Sequence, residues 1–439
     1  LNNLIINICM KKVGLVTLGC AKNRVDSENI LGLLDFQQYE ITNDVDECDI
    51  IIVNTCGFIE SSKRESIETI LEMASYHKKL VVTGCLVERY YKEIKKEIPE
   101  IDLIIPFRDY YRFNELLATL DKEIPYKDGG LRDDLRIIST GPFSAYLKIG
   151  EGCDNRCTYC AIPIIRGGFV SRPYKEIMDE AIHLATEGIK EIVVLEQDTT
   201  KYGIDLDEHK NIVDVLKGLL MIKSFDYIRL LYLYPDEISD ELIDLIANEP
   251  RLTSYFDIPI QHSEDHILED MHRRGDKEFL RNLFKKIRNK VPNAILRTTV
   301  MVGFPGETEE DFNNLKAFIE EIGFDHLGAF TYSREEDTLS YDYPNQIDEE
   351  TKQNRLDEIM HLQQAISYKK NKEHVSEVME GLVIGQENNY YLLRSYWNAP
   401  DDVDGKIYFS SNKKHELGDK VKVKIDGAFV YDLMGQEIE

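Results

Sequence analysis

No apolar run in the 439 residues approaches the ~20 residues that a helix needs to cross a bilayer. The start of the sequence also does not read as a secretory leader. The opening stretch LNNLIINICMKK carries its lysines after the apolar part, whereas a leader puts charge first and a small-residue cleavage site after. Residues 1–9 read as an extension ahead of a start at Met10 and are set aside from fold reasoning. These absences point away from membrane and secretion, toward the cytoplasm. Internal repeats and low-complexity tracts are lacking too, which excludes a solenoid or a biased tail. Positive charge is scarce: 53 Lys and Arg stand against 80 Asp and Glu, a formal net charge of −27. Such a surface repels phosphate backbones and attracts basic partners. Nucleic acid would have to meet a local patch. Cysteines number eight, all within the first 160 residues. That is too sparse for a disulfide scaffold and better suited to metal or redox chemistry.

What is present divides into segments, and the length suggests roughly two to four domains. Residues 10–120 alternate short apolar, β-branched runs with helical stretches. KVGLVTLGC (12–20), CDIIIVNTC (48–56) and KLVVTGC (79–85) read as buried parallel strands. Helices are expected over 24–36, 61–77 and in the stretch ended before Pro99. This predicts an open parallel α/β domain. A polar, glycine-containing stretch, 121–143, reads as a linker. From 144 to 373 strand runs at 145–150, 191–197, 227–234, 255–261, 295–304 and 326–333 alternate with helices. Six such units predict a partial parallel barrel, smaller than the eightfold one; a doubly wound open sheet competes. A long polar helix is expected over 348–374. From 374 to 439 short strands broken by Gly, Asn and Asp predict a small antiparallel β-barrel of OB size.

Two cysteine constellations carry chemistry. EGCDNRCTYCAIP (151–163) places Cys153, Cys157 and Cys160 on a loop directly after a predicted strand. That is the face on which parallel α/β sheets and barrels build their sites. A fourth ligand is missing nearby. Three thiolates would hold three irons of a cubane cluster and leave one iron open to a small molecule. A structural zinc site with a distant fourth ligand is the alternative. Cys20, Cys56 and Cys85 end the three N-terminal strands in TLGC, VNTC and VTGC. Parallel strands end on one edge, so these thiols should converge into a second set. Any one alone would read as a small buried residue, as Cys48 and Cys9 do.

At these residues the chain resembles the radical S-adenosylmethionine (SAM) enzymes, which carry C-x3-C-x2-C after a strand that opens a six-unit barrel. The upstream domain with three more cysteines, and a tail similar to a TRAM module, narrow the resemblance to methylthiotransferases. LGCAKNRVDSE (18–28), CAIPIIRGGFVSRP (160–173), EQDTTKYG (196–203) and RSYWNAPDDVDGKIYF (394–409) resemble the ribosomal-protein aspartate branch more than the tRNA branch. Asn398 stands where that branch usually has aspartate. Charge agrees independently: residues 374–439 hold seven Lys and Arg against twelve Asp and Glu. A module that grips tRNA should be basic, and an acidic one suits a basic ribosomal protein.

The resemblance implies two [4Fe-4S] clusters, one on each cysteine set, facing a shared cavity, with SAM on the barrel cluster and a sulfur carried to the substrate from the other. The implied target is an aspartate β-carbon of ribosomal protein S12, with a flavodoxin-like or ferredoxin-like electron donor and a monomeric enzyme. Tyr159 and Ala161 would approach the adenine, with ordinary loop packing as the alternative. Gln197, Asp198 and Arg297 would bind SAM or substrate; the alternative for Asp198 and Arg297 is an internal ion pair. GFPGET (303–308) resembles a SAM-contacting turn, and His262 at a strand end reads as structural. Two other functions stay open: tRNA adenosine methylthiolation, and a non-enzymatic iron–sulfur or zinc protein that docks on the ribosome.

Overall fold

The computed structural model describes residues 10–120, 136–401 and 403–439. The expected N-terminal extension and most of the expected linker lie outside these. The described residues form two compact units, one drawn from residues 10–139 with 161–167 and one from residues 140–160 with 168–439. One short piece of the second half of the chain therefore belongs to the first unit.

The first unit is a five-stranded parallel sheet of β1 (Lys11–Thr17), β2 (Tyr39–Ile41), β3 (Ile50–Thr55), β4 (Lys79–Gly84) and β5 (Leu103–Ile105), in the order β2-β1-β3-β4-β5. The central strand β3 is buried at every residue, because helices cover both faces of such a sheet. The three apolar runs become β1, β3 and β4. The edge strands β2 and β5 are three residues each, too short to leave a periodic signal in the sequence. Helix α1 (Ala21–Leu33) follows β1, α2 (Glu60–Ala74) follows β3, and α3 (Cys85–Glu97) follows β4.

The second unit opens with β6 (Ser144–Lys148) and the short antiparallel pair β7 (Gly150–Glu151) and β8 (Val170–Ser171). Next come β9 (Glu191–Leu195), β10 (Tyr227–Leu230), β11 (Tyr255–Asp257), β12 (Ile295–Val302) and β13 (His326–Thr331). Two parallel three-stranded sheets, β10-β9-β6 and β11-β12-β13, meet through a parallel bridge between Ile228 and Leu252. Six parallel strands in sequence order make the expected partial barrel. Among the described residues no pairing joins β13 back to β6. The long helix Glu349–Glu373 is capped by Asp348, whose carboxylate accepts from the Thr351 N–H.

The C-terminal module is a closed five-stranded barrel of β14 (Val378–Glu387), β15 (Tyr390–Arg394), β16 (Ile407–Ser410), β17 (Lys420–Ala428) and β18 (Leu433–Ile438). It is antiparallel apart from one pair. After the β17–β18 hairpin, β18 runs alongside β16 in the same direction. The loop between β15 and β16 closes the lower end of the large barrel. Each of the six large-barrel strands meets it or the adjoining Arg394 with its first or third residue, positions that share one face. Tyr146 donates to Asp401, and Glu191 pairs with Arg394 at 3.3 Å. Arg229 donates to the Ser395 carbonyl at 2.6 Å, and Tyr255 donates to Asp404 at 2.7 Å. Arg297 lies 3.5 Å from Asp404, and His326 contacts the Trp397 carbonyl at 2.8 Å. Trp397 is 1% exposed in this plug.

Candidate functional site

In the first unit, strand order places β1 beside β3, where the direction of winding reverses. Doubly wound sheets bind ligands outside the carboxyl ends of the strands at that point. Cys20 and Cys56 stand there. Cys20 precedes α1, Cys56 follows β3, and Cys85 is the first residue of α3. Glycine makes the approach possible. A Cβ on Gly19 (φ +89°) would lie 2.9 Å from the Cys56 Cβ, and one on Gly57 would lie 2.8 Å from the Leu86 nitrogen. Gly84 (φ +97°) has Thr55 backbone 2.4 Å from its Cβ position. Any larger residue would push the three strand ends apart.

A buried amide organises this edge. Asn23 donates to the Leu18 and Thr55 carbonyls, both at 2.9 Å, and so ties the Cys20 turn to the Cys56 turn. Its oxygen accepts from the Cys85 thiol at 3.4 Å and from Arg166 at 2.6 Å. Arg166 ends the five-residue helix Ile162–Arg166 and also reaches Asp26 at 2.7 Å and the Cys85 sulfur at 3.6 Å. Burial pushes the Cys85 thiol up to about 12, against the pull of Arg166, and the charges of Cys56 and Cys20 add to the rise. Cys56 is likewise pushed up by burial. Thiols so placed stay protonated until a bound cationic centre draws the proton off. Cys48 lies before β3, its thiol donating to the Asp44 carbonyl at 3.3 Å, as an unused buried thiol would.

In the second unit Cys153, Cys157 and Cys160 sit on the loop after β7, and each is a free thiol of intermediate exposure. The loop is held on every side. Thr158 donates from its backbone to the Met271 carbonyl at 3.1 Å and from its hydroxyl to the Asp270 carbonyl at 2.8 Å. Asn155 donates to Asp198 at 2.7 Å and accepts from Lys201 at 3.2 Å. The Cys157 sulfur lies 3.7 Å from the Tyr234 hydroxyl, whose ring stacks under the Arg273 guanidinium at 4.0 Å. Burial pushes the Cys153 thiol up to about 11.

Other expected site residues are placed as follows. Gln197 donates to Glu151 at 3.3 Å, and Asp198 receives Asn155 and Thr200. Both adjoin the cysteine loop. Tyr159 packs against Met271, Met301, Phe304 and Tyr332. Ala161 is fully buried with Cys85, Ile165 and Phe107 in the first unit. Arg297 pairs with Asp257 at 2.7 Å and with Asp404, so Asp198 is not its partner. His262 is fully buried, accepting the Glu264 N–H on Nδ1. In GFPGET, a Cβ on Gly303 (φ +74°) would strike Lys352 of the long helix. Asn23, Asp26 and Arg166 were missed as site residues, although each lies inside a stretch quoted for its resemblance.

Among the described residues no three His, Cys, Asp and Glu side chains are drawn up to hold a single ion. A cubane spreads its cysteines over separate irons, and two sets of three free thiols behind glycine turns fit that donor pattern.

Comparison with known proteins agrees. Residues 12–106 match Uncharacterized protein family UPF0004, residues 147–319 the Radical SAM superfamily and residues 375–438 the TRAM domain. The ribosomal protein uS12 methylthiotransferase RimO of Clostridium novyi (strain NT) is 45% identical over 434 residues, 97% of each chain. Its counterpart in Aquifex aeolicus (strain VF5) is 47% identical over 431 residues, 98% of each chain. Among solved structures, the radical SAM methyltransferase TsrM from Kitasatospora setae, with cobalamin and a [4Fe-4S] cluster bound, superposes with a TM-score of 0.55. The match covers 84% of this chain and 80% of that one at 13% identity, which speaks to the fold alone.

Proposed function

The chain belongs to the ribosomal protein uS12 methylthiotransferase family, and from that premise we propose how its own residues serve the reaction. It is a radical SAM enzyme that transfers a methylthio group to ribosomal protein S12. The acceptor we assign is the β-carbon of an aspartate. Its C–H bond is beyond any side-chain base near neutral pH. When bound, two [4Fe-4S] clusters and SAM supply the carbon radical that removes the hydrogen and the methylthio group that replaces it.

The residues supply ligands and rigidity. Cys153, Cys157 and Cys160 would hold the cluster that binds SAM, and the Asn155, Asp198 and Lys201 contacts would keep their loop in place. Cys20, Cys56 and Cys85 would hold the second cluster, with Asn23 fixing the turns that carry the ligands. Gln197, Asp198, Tyr159 and Ala161 are assigned to the SAM side. The Arg297 contacts with Asp257 and Asp404 favour a role in joining the barrel to its plug.

The observation that carries the reading is the second set of cysteines at the carboxyl ends of β1, β3 and β4, which radical SAM chemistry alone does not need. The net charge of −27 suits a basic protein substrate better than tRNA. No helix among the described residues is long and apolar enough to cross a membrane. We assign a cytoplasmic monomer served by a flavodoxin-like or ferredoxin-like electron donor. The test is anaerobic reconstitution with iron counting in the wild type, Cys20→Ala and Cys153→Ala, followed by mass spectrometry of S12. Each substitution should remove one cluster's iron and abolish methylthio-aspartate. Unchanged iron in either variant, or methylthio-adenosine in tRNA as the product, sinks the assignment.

A further inference from the structure

We propose that Arg166 sets the reduction potential of the cluster held by Cys20, Cys56 and Cys85, through a hydrogen bond to the Cys85 sulfur. The inference rests on those three cysteines holding a cluster.

Arg166 is 2% exposed in its side chain, so its guanidinium has left water and must be fully engaged. Asp26 at 2.7 Å and Asn23 at 2.6 Å fix one nitrogen, and the Phe107 ring lies 4.6 Å from the guanidinium carbon. That same nitrogen is 3.6 Å from the Cys85 sulfur. That nitrogen has two hydrogens for three acceptors, so the sulfur shares one of them in a bifurcated bond; Asp26 offsets the positive charge, and the planar guanidinium holds the shared N–H in a direction that lysine cannot reproduce. Hydrogen bonds to cluster sulfurs are among the terms that tune cluster potentials. Reduction places more negative charge on the sulfurs and strengthens such a bond, so the donor favours the reduced state. The post-cluster stretch IIRGG thus carries a residue that serves the other cysteine set. Chain continuity makes this possible: the segment 161–167, directly after Cys160, belongs to the first unit.

The test uses the full-length chain with Cys153→Ala, which leaves only the N-terminal cluster, reconstituted anaerobically and titrated by EPR and absorbance. Arg166→Lys and the pair Arg166→Met with Asp26→Asn, which leaves no buried orphan charge, are compared with that parent. The expected result is a lower midpoint potential in both. In the double variant the reduction equilibrium should shift at least tenfold, which is 59 mV for one electron; the shift in Arg166→Lys should be smaller. Loaded clusters with the parent's potential overturn the inference. If the double variant does not fold, Arg166→Lys decides: a lowered midpoint supports the assignment and an unchanged one rejects it. A parent that takes up no iron while Arg166 is intact would sink the underlying assignment of ligands instead.

Discussion

Asn23 shows how much one amide can organise. Its two donors and its acceptor hold the ends of β1 and β3, the Cys85 thiol and Arg166. Asn23→Ala leaves the buried Thr55 carbonyl and the half-buried Leu18 carbonyl without that donor, at about 1–3 kcal/mol for the buried group. The expected outcome is a lower melting temperature together with loss of the N-terminal cluster's iron, while the barrel cluster stays loaded. Iron counts in the Cys153→Ala and Cys20→Ala backgrounds separate the two. Asn398 is a second case: it accepts from the Ser395 N–H at 3.0 Å and donates to the Leu393 and Gly405 carbonyls. A carboxylate cannot donate, so Asn398→Asp should lower stability by about 1–3 kcal/mol, measured by urea denaturation. The places of the six cysteines in the fold were legible because their spacing and the strands before them are local properties of the sequence. Asn23, Asp26 and Arg166 were not. Their meaning lies in hydrogen bonds between residues as much as 143 positions apart, which no window of sequence contains.

At the scale of elements, α1 is unusual in what it buries. Lys22, Asn23, Asp26, Ser27 and Glu28 are all nearly inaccessible. Asp26 and Glu28 are matched there by Arg166 and Arg136. Glu28 also receives the Ser139 N–H at 2.8 Å, so the described end of the expected linker is held by the helix. An amphipathic pattern foretells a helix but not a polar buried face, and so the role of α1 stayed hidden. The apolar strands were plain because burial on both faces leaves continuous β-branched runs. The lower ends of the barrel strands carry the next prediction. Burial alone would raise the Glu191 carboxyl, but Arg394, Arg229 and Ser144 outweigh it and hold it below the ordinary range. Burial is likewise outweighed at Asp404, by His326, Arg297 and the Tyr255 hydroxyl. Both folded values are depressed. Their stabilisation is therefore present above the ordinary carboxylate range near pH 4 and is lost as pH falls through the folded values. Melting followed by circular dichroism should show stability declining below about pH 4, with a flatter decline in Glu191→Gln. At neutral pH that variant should be less stable by about 3–5 kcal/mol, because the buried Arg229 and the partly buried Arg394 lose their counter-charge.

For the whole molecule, the plug between β15 and β16 changes how the acidic tail is understood. Asp404, one of the acids counted toward a basic partner, is 1% exposed in its side chain and pairs inside the barrel. The C-terminal module is thus built into the barrel it follows. A chain ended after Glu373 would uncover Arg229, Glu191 and Arg297 at the barrel's lower end. It should be insoluble, or should melt well below the full-length protein, by differential scanning fluorimetry. The order of domains was legible from shifts in composition and period. The plug was not, because its side chains cross between strands that lie far apart in the sequence. The transfer of residues 161–167 to the first unit bears on biosynthesis. The N-terminal sheet leaves the ribosome first, yet its last internal piece arrives some tens of residues later. At about 5–20 residues per second, that delay lasts seconds, during which a nascent chain shows an unfinished cysteine-bearing edge to chaperones.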